Sequence, residues 1–227
     1  MDVPVYCRQE AFDAFVSEVG RLETREGITN AVVAIAMHFD PDACTRHVNL
    51  ELDDIAGVIL GRVSSGSSRA KMAHLHQVLF EELGFRGDTE NYFDPRNSFL
   101  PNVLECKRGM PITLSLVYKL VAERIGLRVC GLNTPGHFLV RLKTEDEQMI
   151  VDPFFGGELL APTEVSARIL QVTGSKEMAA ESDYETVTHR QWVARILANL
   201  IHIFSIESRP EEIAAVSELY DVLKVAY

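Results

Sequence analysis

Pro111 constrains this chain more than any other residue. It stands in the stretch "RGMPITLSLVYKLVAERIGLRVCGLNTPGHFLVRL", residues 108–142. Proline has no N–H and its ring clashes with a preceding turn, so a helix tolerates it only in its first turn. The helix that carries Leu114, Val117, Tyr118, Val121, Ala122 and Ile125 as one apolar stripe must therefore begin at Pro111. Gly126 stops it, with Arg124 in the last turn against the negative end of the helix dipole. "LRVCGL" then reads as a short buried strand, "HFLVRL" as a second opening on His137, and "QMIVDPFF" as a third ending at Pro153. The loop "KTEDEQ" is polar and of hairpin length, which makes the last two strands antiparallel. A helix packed on a small antiparallel sheet is an α+β core. His137 at the start of one strand and Asp152 at the end of its partner fall at one end of that sheet. A carboxylate placed there can orient an imidazole.

The rest of the chain divides around this core. Residues 1–85 form a helical lobe: "ITNAVVAIAMHF" sets Ile28, Val32, Ile35, Ala36 and Phe39 on one face, and "LDDIAGVILGRV" repeats the pattern. The loop "SSGSS" separates it from "AKMAHLHQVLFEELGF". Residues 86–170 hold the α+β core, entered through the turn-rich "RGDTENYFDPRNS". Residues 171–227 form a helical C-terminal tail packed on the rest. It comprises a linker-like "GSKEMAAESDYETVT" and two amphipathic helices, the second opening on Pro210 with acids in its first turn.

Composition excludes several function classes. The 227 residues carry a formal charge of −11, whereas nucleic-acid binding needs clustered Lys and Arg to neutralise phosphates. The same surplus opposes adhesion to an anionic membrane surface. A hydrophobic share of 47% and a mean hydropathy of +0.03 describe an ordinary globular chain. No stretch reads as a signal peptide or a membrane span, so a cytoplasmic location with reduced thiols is expected. Cys7, Cys44, Cys106 and Cys130 lie far apart with no C-x-x-C pair, and His74 and His76 diverge on a helix, so no metal is expected. No glycine-rich loop followed by Lys and Ser or Thr is present, and no cofactor is expected.

Taken in order, "YFDPRNSFL", "NSFLPNVLECKRGMPITLSLVYKLVAERIGL", "PGHFLVRL" and "VDPFFGG" resemble the SirB-type branch of the transglutaminase-like (papain-like) superfamily. The resemblance covers roughly residues 28–160. It implies a helical N-terminal part before a transglutaminase-like core, often with a helical or repeat-like tail. Members of the branch are largely uncharacterised, some associated with regulation of bacterial virulence or of other genes, and a related module occurs in certain F-box proteins. Enzymes of the wider superfamily begin this helix with a glycine, one variable residue and a cysteine that attacks an acyl group, with the following His and Asp completing the relay. Here the equivalent stretch is Gly109-Met110-Pro111, which puts Pro111 in the nucleophile's place. Proline has no nucleophilic side chain, and the SirB-type branch shares this departure.

A substitute nucleophile would have to come from nearby. Cys106 precedes Pro111 in a loop, and its neighbours Lys107 and Arg108 would favour a thiolate. Against that stands an unremarkable loop thiol. Thr113 and Ser115 are expected to make capping or back-bonding contacts, and Cys130 to pack within a strand. Tyr92 and Asn97 are expected to brace the loop over the core. Glu105 either cross-links to Arg108 or faces a cleft. His137 either pins the Pro135-Gly136 turn or binds a ligand, and Asp152 either caps a turn or partners His137.

Two functional readings follow. In the first, the chain is a transglutaminase-like protein without catalysis that binds a protein partner in a regulatory role. In the second, it is a thiol-dependent acyl transferase or hydrolase using Cys106, His137 and Asp152. Pro111 favours the first.

Overall fold

A computed structural model of the protein describes residues 3–64, 66–145, 147–174 and 185–225. The helical lobe comprises α1 (Gln9–Glu18), α2 (Arg25–Phe39), α3 (Thr45–Arg62) and α4 (Ser68–His76). Thr24 caps α2 by accepting the Gly27 N–H at 2.9 Å, and Ser67 caps α4 by accepting the Ala70 N–H at 3.3 Å. α4 runs straight into a π-helical turn, Gln77–Glu82. A short parallel pair, β1 (Arg86–Gly87) and β2 (Arg108–Gly109), brackets α5 (Leu100–Cys106).

The core is arranged around α6 (Pro111–Arg124). Met110 before it is extended, and its carbonyl accepts the N–H groups of Thr113 and Leu114, so the helix starts at the proline as its chemistry requires. Every residue from Pro111 to Ala122 is buried, where the sequence pattern shows one apolar stripe. The reason is packing on all sides: α3, α5 and α8 cover α6 opposite the sheet. Even Lys119 is drawn in, its ammonium bonded to the Val129 carbonyl at 3.0 Å and to Glu123.

The sheet has the order β6-β5-β4-β3-β7 and is antiparallel throughout. Its strands are β3 (Arg128–Leu132), β4 (Leu139–Lys143), β5 (Gln148–Asp152), β6 (Glu158–Leu160) and β7 (Thr186–Val187). Successive side chains alternate between its faces. Val129, Val140, Leu142 and Val151 join the main core with α6, while Leu132, Leu139, Ile150 and Leu160 pack with Val165 and Ile169 of α7 (Pro162–Thr173). The sheet therefore has a helix on each face.

Two amphipathic helices close the molecule, α8 (His189–Ile206) and α9 (Pro210–Val225). α9 ties down the other end of the described chain: the Glu218 carboxylate accepts N–H groups from Val5, Tyr6 and Cys7 at 2.8–3.3 Å. One hydrophobic cluster runs from Cys7 to Leu223. Of the linker-like stretch, residues 175–184 lie outside the described residues. Among the described residues no helix is long and apolar enough to cross a membrane.

Candidate functional site

His137 sits in a turn rather than on a strand, since β4 begins two residues later at Leu139. Pro135 and Gly136 build that turn, which closes through the His137 N–H on the Thr134 carbonyl at 3.4 Å. Gly136 has φ +62°, the left-handed value required at the third position of a type II turn after proline. The turn breaks the ladder early and aims the imidazole back across the strand ends. Its Nε2 meets Asp152 Oδ2 at 2.9 Å, and both side chains are fully buried.

Asp152 ends β5 and also caps the following 3-10 turn, Pro153–Phe155, by accepting the N–H groups of Phe154 and Phe155 on Oδ1 at 3.1 and 3.4 Å. Its Oδ2 accepts a further bond from Arg168 Nη1 at 2.7 Å. Both earlier readings of Asp152, cap and histidine partner, therefore describe the same carboxylate. Four donors on one buried carboxylate satisfy its two oxygens and fix the imidazole's orientation. Arg168 also pairs with Glu158 and stacks over the Phe155 ring at 4.0 Å.

The back of the turn is held by α8. Arg195 donates to the main-chain carbonyls of Thr134 at 3.0 Å and His137 at 2.7 Å, and to the Asn133 side chain. Trp192 packs on Phe138 at a ring separation of 4.6 Å and donates its indole N–H to the Ile112 carbonyl at 3.2 Å. That bond couples the turn to the head of α6. Ser115 donates to the Phe138 carbonyl at 3.3 Å rather than back along its own helix, and the buried Thr113 hydroxyl has no partner among the described residues. Pro111 itself is buried. Pro111 lines the same cleft as His137, and its side chain offers ring carbons and no lone pair for attack.

The structure brings His137 and Asp152 together and sets Cys106 apart from them. Cys106 is exposed at the end of α5, in a small cleft with Asp88, Arg96, Asn97 and Arg108. The cations beside it are engaged elsewhere: Lys107 with Glu51 and the Leu104 carbonyl, Arg108 with the carbonyls of Gly84 and Lys107. Cys7 is inert, its thiol pushed up to about 12 by burial and by the charge of Glu218. Among the described residues no thiol is hydrogen-bonded to His137, and no group of three or more His, Cys, Asp or Glu is placed to hold a metal. His76 bonds to the Tyr118 hydroxyl at 2.9 Å. Asn97 braces the entry loop through the Asn91 carbonyl at 2.8 Å and Asp88 at 3.3 Å.

A cleft of about 230 Å³ opens over the head of α6. Residues 110–112 and 136–138 line it together with Tyr92 and Phe93 and with Arg195, Asn199 and His202 of α8. Arg168, Arg195 and Trp192 were not legible as site residues. Arg195 reads as the polar side of an amphipathic helix and Arg168 lies where no element is read, and only the fold turns them inward.

The family model described as "Transglutaminase-like superfamily" matches residues 46–198. The chain is 37% identical to a UPF0162 protein of Xylella fastidiosa (strain 9a5c) over 142 residues, 61% of this chain and 50% of that protein. A UPF0162 protein of Pseudomonas aeruginosa is 27% identical over 195 residues, 86% of this chain and 70% of that one. Human F-box only protein 21 is 32% identical over 80 residues, 35% of this chain and 13% of its own length. The chain spans about half the length of the first of these relatives. No solved structure matches it significantly.

Proposed function

Because this chain belongs to the transglutaminase-like superfamily, we propose that it is a member without catalysis that holds a protein partner in a regulatory role. One observation carries this reading: Pro111 occupies the head of α6, beside a His137–Asp152 pair that is otherwise assembled. An imidazole held by a carboxylate can activate a thiol only within hydrogen-bond reach, directly or through one water. The residue at the head of α6, in the cleft that His137 also lines, is a proline, and the exposed thiol, Cys106, lies in a different cleft. What remains is a shaped cleft on a rigid frame, which suits recognition. The alternative, a thiol enzyme using Cys106, would need the end of α5 to move.

The test is intact-mass spectrometry after incubation with a thioester acyl donor. No hydroxylamine-sensitive adduct that depends on His137 is expected. A Cys106 adduct abolished by His137→Gln, in a variant that keeps its circular dichroism, would overturn the reading.

A further inference from the structure

The cleft over α6 is lined by one guanidinium, that of Arg195, and by two histidines, and none of the described residues lining it is Asp or Glu. This stands out in a chain whose formal charge is −11. Arg195 is partly buried there, and its Nη groups donate only to uncharged acceptors. Burial holds its guanidinium below the usual value. Elsewhere Arg168, Arg124 and Lys119 all pair with carboxylates, yet among the described residues none pairs with Arg195. A cation drawn partly out of water ordinarily finds a counter-charge.

Two further features face the same space. The fourteen-residue α6 presents its N-terminus, where Pro111 has no N–H and Ile112 is the first free donor. His137 is 1% exposed and lines the cleft; with Nε2 donating to Asp152, its Nδ1 carries the lone pair, is buried and has no partner among the described residues, so a carboxyl group meets it by bringing the proton that the two share. Beside them Phe93, Phe138 and Ile203 offer apolar surface for a short aliphatic stem.

We propose that this cleft binds one peptide carboxylate, an acidic side chain or a chain end, between Arg195 and the head of α6. The inference rests on the partner-binding reading and names what the partner places in the site. A single guanidinium with its Nη groups already engaged matches a singly charged carboxylate better than phosphate, which carries nearly two charges and is ordinarily met by a cluster of cations. A cleft of about 230 Å³ is smaller than drug-sized ligand pockets and takes one side chain or terminus, not a folded element.

Trp192 is the only tryptophan and touches both Ile112 and Phe138, so its indole N–H resonance reports on the cleft. The full chain would be titrated with four probes. N-acetylglycine supplies a chain end, N-acetylglutamate α-amide an acidic side chain, N-acetylglutamine α-amide the neutral counterpart, and inorganic phosphate the competing anion. A saturable shift is expected with at least one of the two carboxylates, and which one responds assigns the source. The amide should give none and phosphate a weaker one. Asn199→Asp, which adds a negative charge to the cleft lining without touching the turn, should weaken binding about tenfold or more. Equal shifts from the amide, tighter binding of phosphate, no saturable shift from either carboxylate, or an unaffected Asn199→Asp variant would each overturn the proposal. The mass of the chain after titration separates this from the reading above. An unchanged mass with no carboxylate shift loses only the ligand, whereas an acyl adduct on a cysteine loses the absence of catalysis.

Discussion

Asp152 is the residue on which the site depends, because a fully buried carboxylate is tolerable only while its donors stay in place. Arg168 supplies the one permanent positive charge on it. Arg168→Met should therefore cost roughly 3–5 kcal/mol in urea unfolding, the usual penalty for stranding a buried charge. Glu158, half exposed on the other side of the same arginine, should matter little: Glu158→Gln is expected to cost under about 1 kcal/mol. Equal costs would mean that Asp152 is not charged or not dependent on Arg168. His137 and Asp152 were legible in the sequence because turn and strand signals bracket both, Pro135-Gly136 before one and Pro153 after the other. Arg168 was not, since no element is read around it and nothing local distinguishes an arginine that the fold turns inward.

At the scale of elements, α6 was legible from its proline and glycine ends, but the degree of its burial was not. Periodicity reports one face, and the neighbours that cover the others are distant in sequence. His76, at the end of α4, shows the consequence. It bonds to Tyr118 of α6, and burial alone lowers its pKa from 6.5 to about 4. Between those values the unfolded chain binds the proton and the folded chain does not, so stability rises with pH through that window. The contribution is whole above about pH 6.5 and is lost as pH falls toward 4, up to roughly 3 kcal/mol for a shift of this size. Urea unfolding at pH 6.5 and 4.5 should show a smaller drop for His76→Gln than for wild type. Parallel drops would remove His76 as the cause. The π-helical turn that follows sets Phe80 against Gly157, where φ is +78° and an added Cβ would lie 2.1 Å from the ring. Gly157→Ala should lower stability by at least about 2 kcal/mol through strain and overlap together.

At the scale of the molecule, the helical lobe, the sheet core and the C-terminal helices share one hydrophobic cluster, and Glu218 ties α9 to the chain's other end. Unfolding followed by Trp192 fluorescence and by far-UV circular dichroism should give coincident transitions. Separate midpoints would show that these parts fold independently. The α+β architecture was legible from strands of alternating or continuous apolar character and from helix ends. The short elements α5, β6 and β7 were not, because their lengths fall below what periodicity resolves, and the longer α7 was missed as well. Function turns on one position. The direct measurement is acyl labelling by a thioester, read as intact mass before and after hydroxylamine, on wild type, Pro111→Cys, and Pro111→Cys combined with His137→Gln. The expected result is no His137-dependent adduct on wild type, an adduct on the new thiol of Pro111→Cys, and its loss in the double variant. A hydroxylamine-sensitive adduct on a cysteine of the wild-type chain, abolished by His137→Gln alone, would contradict the absence of catalysis.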